Sequence, residues 1–155
     1  MKTRIFLVVL FAFTISLTAQ EIKVPAKVKD AFTKLYPKAT EIKWGKEGKT
    51  EFEAEFKING TAVSVVMDVK GNLKETETDI TKLELPKGVE EFVAKNHKGW
   101  SITESAKIVD AKGNVTFEAQ VTKDKVKKDL IFDKNGKLWV KKETKKEKNE
   151  KEEKD

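Results

Sequence analysis

The side chains that carry out most enzyme chemistry are scarce in this sequence of 155 residues. His97 is the single histidine and cysteine is absent, so the chain can form neither a cysteine–histidine dyad nor a site in which several imidazoles share a metal. The serines beyond residue 20, which are Ser64, Ser101 and Ser105, lack the Gly-x-Ser-x-Gly surroundings of a hydrolase nucleophile. We therefore expect no catalytic residue and no cofactor, and we interpret His97 as an ordinary residue at a helix end.

Two groups of polar residues on predicted strands could be read as paired catalytic carboxylates. Glu53 and Glu55 alternate on the polar side of one predicted strand, and Glu118 and Gln120 occupy the equivalent positions later in the chain. Charges at alternate positions of a half-buried strand usually face solvent. A hydrolase with two catalytic carboxylates is therefore not favoured.

The stretch 133–136, Asp-Lys-Asn-Gly, contains residue types found in calcium loops but not their spacing. Such a loop has glycine at its sixth position and a glutamate at its twelfth, whereas Gly136 is the fourth residue here and lysines interrupt the pattern. We expect a turn at this position and no metal site.

That turn predicts a hairpin with a definite register. An aspartate that begins a type I turn, followed by a glycine in the left-handed conformation, sets Asp133 across from Lys137. The register then places Phe132 opposite Leu138, and both side chains are expected on the buried face.

The other side of the same hairpin predicts a binding surface. If Phe132 and Leu138 face inward, Ile131 and Trp139 face outward as a cross-strand pair. An exposed tryptophan flanked by charges is the residue type that anchors protein interfaces. The alternative is that Trp139 only covers a sheet edge or packs against the C-terminal tail. The candidate partner-binding residues are Trp139, Ile131, Asp133 and Lys137, with Val66 and Lys74 at the matching positions of an earlier hairpin.

The earlier hairpin belongs to an internal repeat of the sequence. Residues 48–78 align with residues 113–143 without a gap, and "VMDVKGNL" matches "IFDKNGKL". The register predicted for the later hairpin therefore also applies to the earlier one, where it sets Met67 opposite Leu73. Upstream of these segments the offset between the copies becomes smaller, so the second copy holds additional residues near Ser105. We interpret the pattern as two copies of one supersecondary unit.

Each copy begins with a helical pattern and continues with strand patterns. Pro25 precedes a helical stripe of Val28, Phe32 and Leu35, and Pro86 precedes a second stripe. The period then changes to two in "FEAEF" and "FEAQV", and glycine-containing turns join consecutive strands as hairpins. The predicted fold is α+β, with two tandem repeats of one helix plus a four-stranded antiparallel meander. We expect core or rim packing for the remaining tryptophans, Trp44 and Trp100.

The two ends of the chain differ from these units in composition. Residues 1–19 have a basic start and an apolar run, as in a secretory signal peptide cleaved between Ala19 and Gln20. Residues 20–82 form the first repeat, 83–142 the second, and 143–155 a charged tail without an apolar residue. The formal net charge of the whole chain is +6, and the positive charge that remains after cleavage is spread along the sequence. We expect a periplasmic or secreted protein that binds no nucleic acid and inserts into no membrane after cleavage.

The repeated hairpin resembles the strand-turn-strand signature of PepSY domains. The order of motifs is similar to that of the exported PepSY-like, beta-lactamase-inhibitor-like proteins of Bacteroidota, and the resemblance covers residues 24–143. It includes "LYPKATEIKW", the "FEAEF" strand and the Asp-x-x-Gly-x-Leu hairpin. It implies two units whose sheets join side by side, with the helices on one face and an open sheet face on the other. The second copy departs from the pattern because it has no tryptophan that matches Trp44.

We therefore predict a non-catalytic exported module that binds an envelope or exported protein or peptide through the open sheet face. Inhibition of an envelope hydrolase is the form of binding that the resemblance implies. The alternative is a structural or envelope-stress protein, or a carrier of a small ligand on the same face, without an inhibitory role. A fold alone does not decide between these functions, so the decision depends on the site.

Overall fold

The computed structural model describes residues 22–139, which form an α+β fold with one antiparallel sheet of seven strands in chain order. A short 3-10 helix, Lys82–Glu84, precedes the second α-helix. The predicted signal peptide of residues 1–19 and the charged tail of residues 143–155 lie outside the described residues. The elements are α1 (Ala26–Leu35), β1 (Thr40–Glu47), β2 (Glu51–Ile58), β3 (Thr61–Asp68), β4 (Leu73–Asp79), α2 (Val89–Asn96), β5 (Ser101–Asp110), β6 (Val115–Lys123) and β7 (Val126–Asp133).

Both predicted helices form. Pro25 is the N-cap of α1, whereas Pro86 lies three residues before α2, whose N-cap is Gly88. In α1 the predicted stripe is correct for Val28 and Phe32, which are buried. It is wrong for Leu35, which is 52% exposed. The helix ends at Leu35, and the next residue, Tyr36, packs against the core instead.

The core has two parts, one beneath each helix. Under α1, the ring of Phe32 lies 5.0 Å from that of Phe56 and 5.2 Å from that of Trp44, so Trp44 packs at the rim of the core as predicted. Under α2, Phe132 is fully buried, and its ring lies 5.4 Å from that of Phe92. These aromatic contacts fix which face of the sheet each helix covers.

The sheets of the two predicted units are continuous, because β4 pairs with β5 from Glu75–Asp110 to Asp79–Ala106. The second unit differs from the expectation of four strands. Within the described residues, β5, β6 and β7 are followed by a single bridge between Phe132 and Leu138.

Three hairpin turns share one geometry, in which an aspartate carboxylate binds the turn backbone. Asp68, Asp110 and Asp133 each accept the amides of the residues two and four positions later, at 2.8 to 3.0 Å. The predicted register of the last turn is confirmed, since the Asp133 amide donates to the Lys137 carbonyl at 2.9 Å.

The two turns of the repeated phrase are distinguished by what their glycines approach. Gly71 and Gly136 have φ values of +81° and +75°. A methyl group added to Gly71 would lie 3.0 Å from the Lys27 carbonyl oxygen of α1, and one added to Gly136 would overlap the Lys87 carbonyl oxygen just before α2. Each of these hairpins therefore places its tip against the backbone at the start of a helix.

We expect Gly136→Ala to lower the free energy of unfolding by about 3 kcal/mol or more, because the methyl group would combine a positive φ with backbone overlap. Denaturant unfolding measures the change. Gly113→Ala is the matched control, since Gly113 lies in the same kind of turn with φ +82° and open space around it. The control is expected to cost about 1 kcal/mol. Equal losses of unfolding free energy in the two variants would contradict a close approach of Gly136 to the Lys87 carbonyl.

Candidate binding face on the open side of the sheet

One face of the sheet carries no α-helix. Both α-helices of the described chain pack on the face that holds core residues such as Phe52, Met67 and Phe132. Side chains alternate along each strand, so the residues between those core positions share the opposite face. We call it the open face. In residues 22–139 its central members are Glu53, Glu55, Ser64, Val66, Glu75, Glu77, Asp79, Glu104, Ala106, Ile108, Glu118, Gln120, Asp129 and Ile131.

Trp139 and Ile131 lie at the β7 edge of the open face. The Trp139 amide donates to the Ile131 carbonyl at 2.7 Å, beside the bridge between Phe132 and Leu138. Trp139 is 45% exposed, whereas Ile131 is half-buried. Ile131 pairs with Glu118 of β6, which places this apolar pair next to the centre of the open face.

The corresponding outward pair of Val66 and Lys74 does not form. Val66 pairs with Glu75, and Lys74 is the extra residue of a bulge in β4. The bulge lies where β4 follows its hairpin turn and begins to pair with β5. There the Ala111 amide, just after β5, donates to the Lys74 carbonyl at 2.7 Å. The prediction that Lys74 stands opposite Val66 is therefore wrong.

Asp133 stabilises the turn. Its pKa is held below the usual value, chiefly by the hydrogen bond from the Lys137 amide at 3.0 Å and also by that from the Asn135 amide at 2.8 Å. Lys137 is exposed beside it. The two residues lie at the tip of the hairpin, and the carboxylate of Asp133 is committed to the backbone.

Four carboxylates surround one small residue near the centre of the open face. Asp79 of β4 and Glu118 of β6 both lie opposite Ala106 of β5, so two strand spacings, about 10 Å, separate their backbones. Glu77 lies two residues before Asp79 on β4, and Glu104 lies two residues before Ala106 on β5. We call Glu77, Asp79, Glu104 and Glu118 the carboxylate ring.

Burial and like charge raise the pKa values of Glu77, Asp79 and Glu118. Glu118 is only 7% exposed, and its pKa rises to about 8, first because burial disfavours the charged form and then because Glu77 and other acids repel it. The pKa of Glu77 rises to about 7, again mainly through burial, with repulsion from Glu75 next. Burial, followed by repulsion from Glu104, also raises the pKa of Asp79. Within residues 22–139, no lysine or arginine forms an ion pair with Glu77, Asp79 or Glu118.

Gln120 adds an unpaired acceptor beside the carboxylate ring. Its side chain is fully buried between Glu104 of β5 and Asp129 of β7. Nε2 donates to Asp129 Oδ1 at 3.2 Å, whereas Oε1 has no hydrogen-bond partner. The ion pair between Lys127 and Glu104, 3.1 Å long, crosses β6 at this level. Buried amide oxygens nearly always accept a hydrogen bond, so a donor placed at the unpaired Oε1 would form a stabilising one.

Sequence reasoning missed the carboxylate ring because it assigned Glu118 and Gln120 to the solvated side of a single strand. A usable signal was present, since carboxylates occupy outward positions on several strands. However, the proximity of Glu77 and Asp79 to Glu104 and Glu118 depends on the pairing of β4 with β5. The sequence pattern alone left that pairing open.

A pocket of about 290 Å³ opens beside the carboxylate ring. Asp79 and Glu104 belong to its lining, together with Lys82 and Ile102. The pocket lies where the register of β5 shifts between Ile102 and Glu104. A bulge at this point therefore opens space next to two acidic side chains.

Other kinds of site find little support in the described chain. Among residues 22–139, no three histidine, aspartate or glutamate residues are arranged to hold a metal ion. His97 follows the last residue of α2, and its ring lies 6.1 Å from that of Phe92, which agrees with an ordinary helix-end residue. No helix in this part of the chain is long and apolar enough to span a membrane.

The fold is similar to those of solved proteins from Bacteroides. A BLIP-like protein from Bacteroides fragilis shares 28% identity with a TM-score of 0.61, and the match covers 79% of this chain and 88% of that chain. A DUF2874 family protein from Bacteroides ovatus shares 25% identity with a TM-score of 0.63, over 76% and 86% of the two chains. A protein from Bacteroides eggerthii, described as a candidate periplasmic protein, shares 24% identity with a TM-score of 0.67, over 76% and 87%.

These structures support the resemblance to BLIP-like proteins of Bacteroidota. The PepSY-like relationship stays a prediction. No protein-family model and no curated protein matches the chain.

The carboxylate ring predicts that stability falls as the pH rises. Because the pKa of Glu118 is raised from 4.5 to about 8, the folded chain keeps a proton that the unfolded chain releases, so the free energy of unfolding decreases between about pH 5 and pH 8. We expect a slope of about 1 kcal/mol per pH unit over part of this range. Chemical denaturation at several pH values measures it.

Glu118→Gln tests the origin of that slope, because glutamine resembles the protonated carboxyl group. The variant should match the original protein near pH 5 and exceed its stability near pH 8. Glu91→Gln, in the first turn of α2, is the control and should leave the slope unchanged. An unaltered slope in Glu118→Gln would mean that Glu118 titrates normally.

Proposed function

We propose that this protein is a non-catalytic exported module that binds an envelope or exported protein or peptide through the open face. The observation that best supports the proposal is the half-exposed Trp139, which lies beside Ile131, whose own partner on β6 is the buried Glu118. Large aromatic anchors that adjoin desolvated polar groups are typical of the energetic centre of protein interfaces. Asp133 positions this hairpin through its backbone hydrogen bonds.

Export is supported from two directions. Residues 1–19 have the pattern of a signal peptide. The similar protein from Bacteroides eggerthii is described as a candidate periplasmic protein. A periplasmic or secreted partner is therefore the class to test.

Inhibition is the form of binding suggested by the BLIP-like description of the protein from Bacteroides fragilis. An inhibitor of this kind would cover a hydrolase with its open face and perform no chemistry itself.

Duplication of one helix-and-meander unit would explain the shape of the open face. Its support is the repeated hairpin, whose glycines Gly71 and Gly136 both lie against the start of a helix. Two such units joined edge to edge would give a face twice as wide as one unit provides. Such a width suits a protein partner better than a small molecule.

A small-ligand carrier is the second candidate function. The pocket lined by Asp79, Lys82, Ile102 and Glu104 favours it, since its volume of about 290 Å³ is near the lower limit of ligand pockets. A carrier would retain its ligand when Trp139 is replaced. A protein-binding module would lose its partner.

Replacement of Trp139 and Ile131 by alanine tests the proposed function. We expect the double variant to retain less than a tenth of its partner in affinity capture from an envelope extract, because truncation of an interface anchor can cost about 2 kcal/mol or more. The melting temperature should change by only a few degrees, since Trp139 is 45% exposed.

Leu83→Ala is the matched control, because Leu83 is an apolar residue with 91% exposure outside the open face. It should bind the partner like the original protein. If the double variant captures the same proteins in the same amounts, the open face near β7 is not the binding surface. A large fall in its melting temperature would instead make Trp139 and Ile131 part of the core.

A further inference from the structure

We propose that the carboxylate ring and Gln120 together receive one arginine side chain of the partner. This inference rests on the proposed function, because it states what chemistry the open face recognises. It is carried by three observations: acids that have no ion-pair partner within residues 22–139, of which Glu118 is buried, an unpaired buried acceptor, and a pocket beside them.

The first observation is the separation of charge within the molecule. The chain as a whole has a formal net charge of +6, yet its open face gathers eight carboxylates, namely Glu53, Glu55, Glu75, Glu77, Asp79, Glu104, Glu118 and Asp129. Lys127 pairs with Glu104 at the end of the cluster. Within residues 22–139, no cation pairs with Glu77, Asp79 or Glu118, so a cation supplied by a partner would relieve repulsion there.

The second observation is independent of charge. Gln120 is fully buried on the same face, and its Oε1 has no hydrogen-bond partner. Because Nε2 is directed at Asp129, Oε1 lies on the other side of the amide group. An unsatisfied buried acceptor is unfavourable, and a donor from a ligand would remove that cost. Once ionised, the carboxylates offer only acceptors, as Oε1 does, so a ligand rich in N–H donors suits them.

The third observation is the pocket of about 290 Å³ at the edge of the carboxylate ring, whose lining includes Asp79 and Glu104. Ala106 lies between Asp79 and Glu118 on the neighbouring strands, so carboxylates stand on both sides of it. A guanidinium group is planar and carries five N–H donors in a fixed arrangement, so it can bind acceptors on both sides at once. A lysine ammonium group is compact and strongly hydrated, so it suits acceptors spread over two strand spacings less well.

Proton release should accompany binding of the arginine. Burial holds Glu118 and Glu77 partly protonated near neutral pH. The acids that face them are Glu53 of β2, Glu75 and Asp79 of β4, Glu104 of β5 and Asp129 of β7. The nearby cations are Lys127, which pairs with Glu104, and Lys82, which lines the pocket with Asp79 and Glu104 and pairs with Glu90. A bound guanidinium group favours the ionised form of these carboxyls, so protons leave the protein when it binds.

The experiment uses short glycine–serine peptides that carry several arginines, lysines or citrullines in the same positions. Isothermal titration calorimetry at pH 7.5 in two buffers of different ionisation enthalpy measures both affinity and proton release. We expect the arginine peptide to bind several-fold more tightly than the lysine peptide and to release up to about one proton. The citrulline peptide has the same shape without the charge and should not bind.

Glu77→Gln with Glu118→Gln is the test variant, and it should fold because glutamine resembles the protonated state of each residue. It should weaken arginine-peptide binding about 10-fold or more and abolish proton release. The control is Asp30→Asn in α1 with Glu91→Gln in α2, which removes the same formal charge from the helix side of the sheet and should change affinity less than about 2-fold. Equal weakening in both variants, or equal binding of the arginine and lysine peptides without proton release, would overturn the inference.

Partner capture with the same variants separates this inference from the proposed function. If the variant at Trp139 and Ile131 loses the partner while the variant at Glu77 and Glu118 keeps it, the open face binds a protein without the arginine. That result would reject only the further inference. If neither variant loses the partner, both proposals fail.

Discussion

Five residue pairs between β4 and β5, from Glu75 with Asp110 to Asp79 with Ala106, join the two halves of the chain into one sheet. Without these pairs each half would present its own short polar face, and the acids of one would remain far from those of the other. With them, Glu77 and Asp79 from the first half lie beside Glu104 and Glu118 from the second. The helices cover the opposite face of this sheet, so every outward residue adds to one surface. The position of the charges therefore follows from a single strand pairing combined with the two-residue period of β-structure.

The same pairing creates an electrostatic cost that a neutral sheet would avoid. Glu118 lies in the second-last strand with Ala106 and Ile131 on either side, and these neighbours exclude water without offering a counter-charge. Protonation reduces the repulsion, which is why the pKa of Glu118 rises to about 8. Turn aspartates such as Asp110 show the contrast, because backbone amides and Asn114 stabilise their charged form. In this chain the turn aspartates accept backbone amides and shape the hairpins, whereas Glu77, Asp79 and Glu118 lie on the open face without an ion-pair partner among residues 22–139.

Much of this architecture could be predicted from local sequence, and the parts that could not share one cause. The hairpin register at Phe132 and Leu138 follows from turn chemistry, and both helices follow from apolar periodicity. The exposure of Leu35 and the bulge at Lys74 depend on what packs at the end of α1 and beside β4. The carboxylate ring likewise requires the order of strands across the sheet. Strand order is a long-range property, and no pattern within one unit specifies it.

An apolar anchor next to a desolvated acid gives the open face two separable contributions to recognition. Trp139 and Ile131 would supply area and would act on any partner of complementary shape. The carboxylate ring would supply discrimination, because a partner without a cation would leave Glu118 and Gln120 buried and unpaired. Glu118 and Gln120 are already desolvated in the free protein, so binding of a cation does not include the free-energy cost of removing water from them. A ligand that binds only the folded state also stabilises it. The open face would therefore be least stable when empty, and occupancy by a cation would raise the stability of the whole sheet.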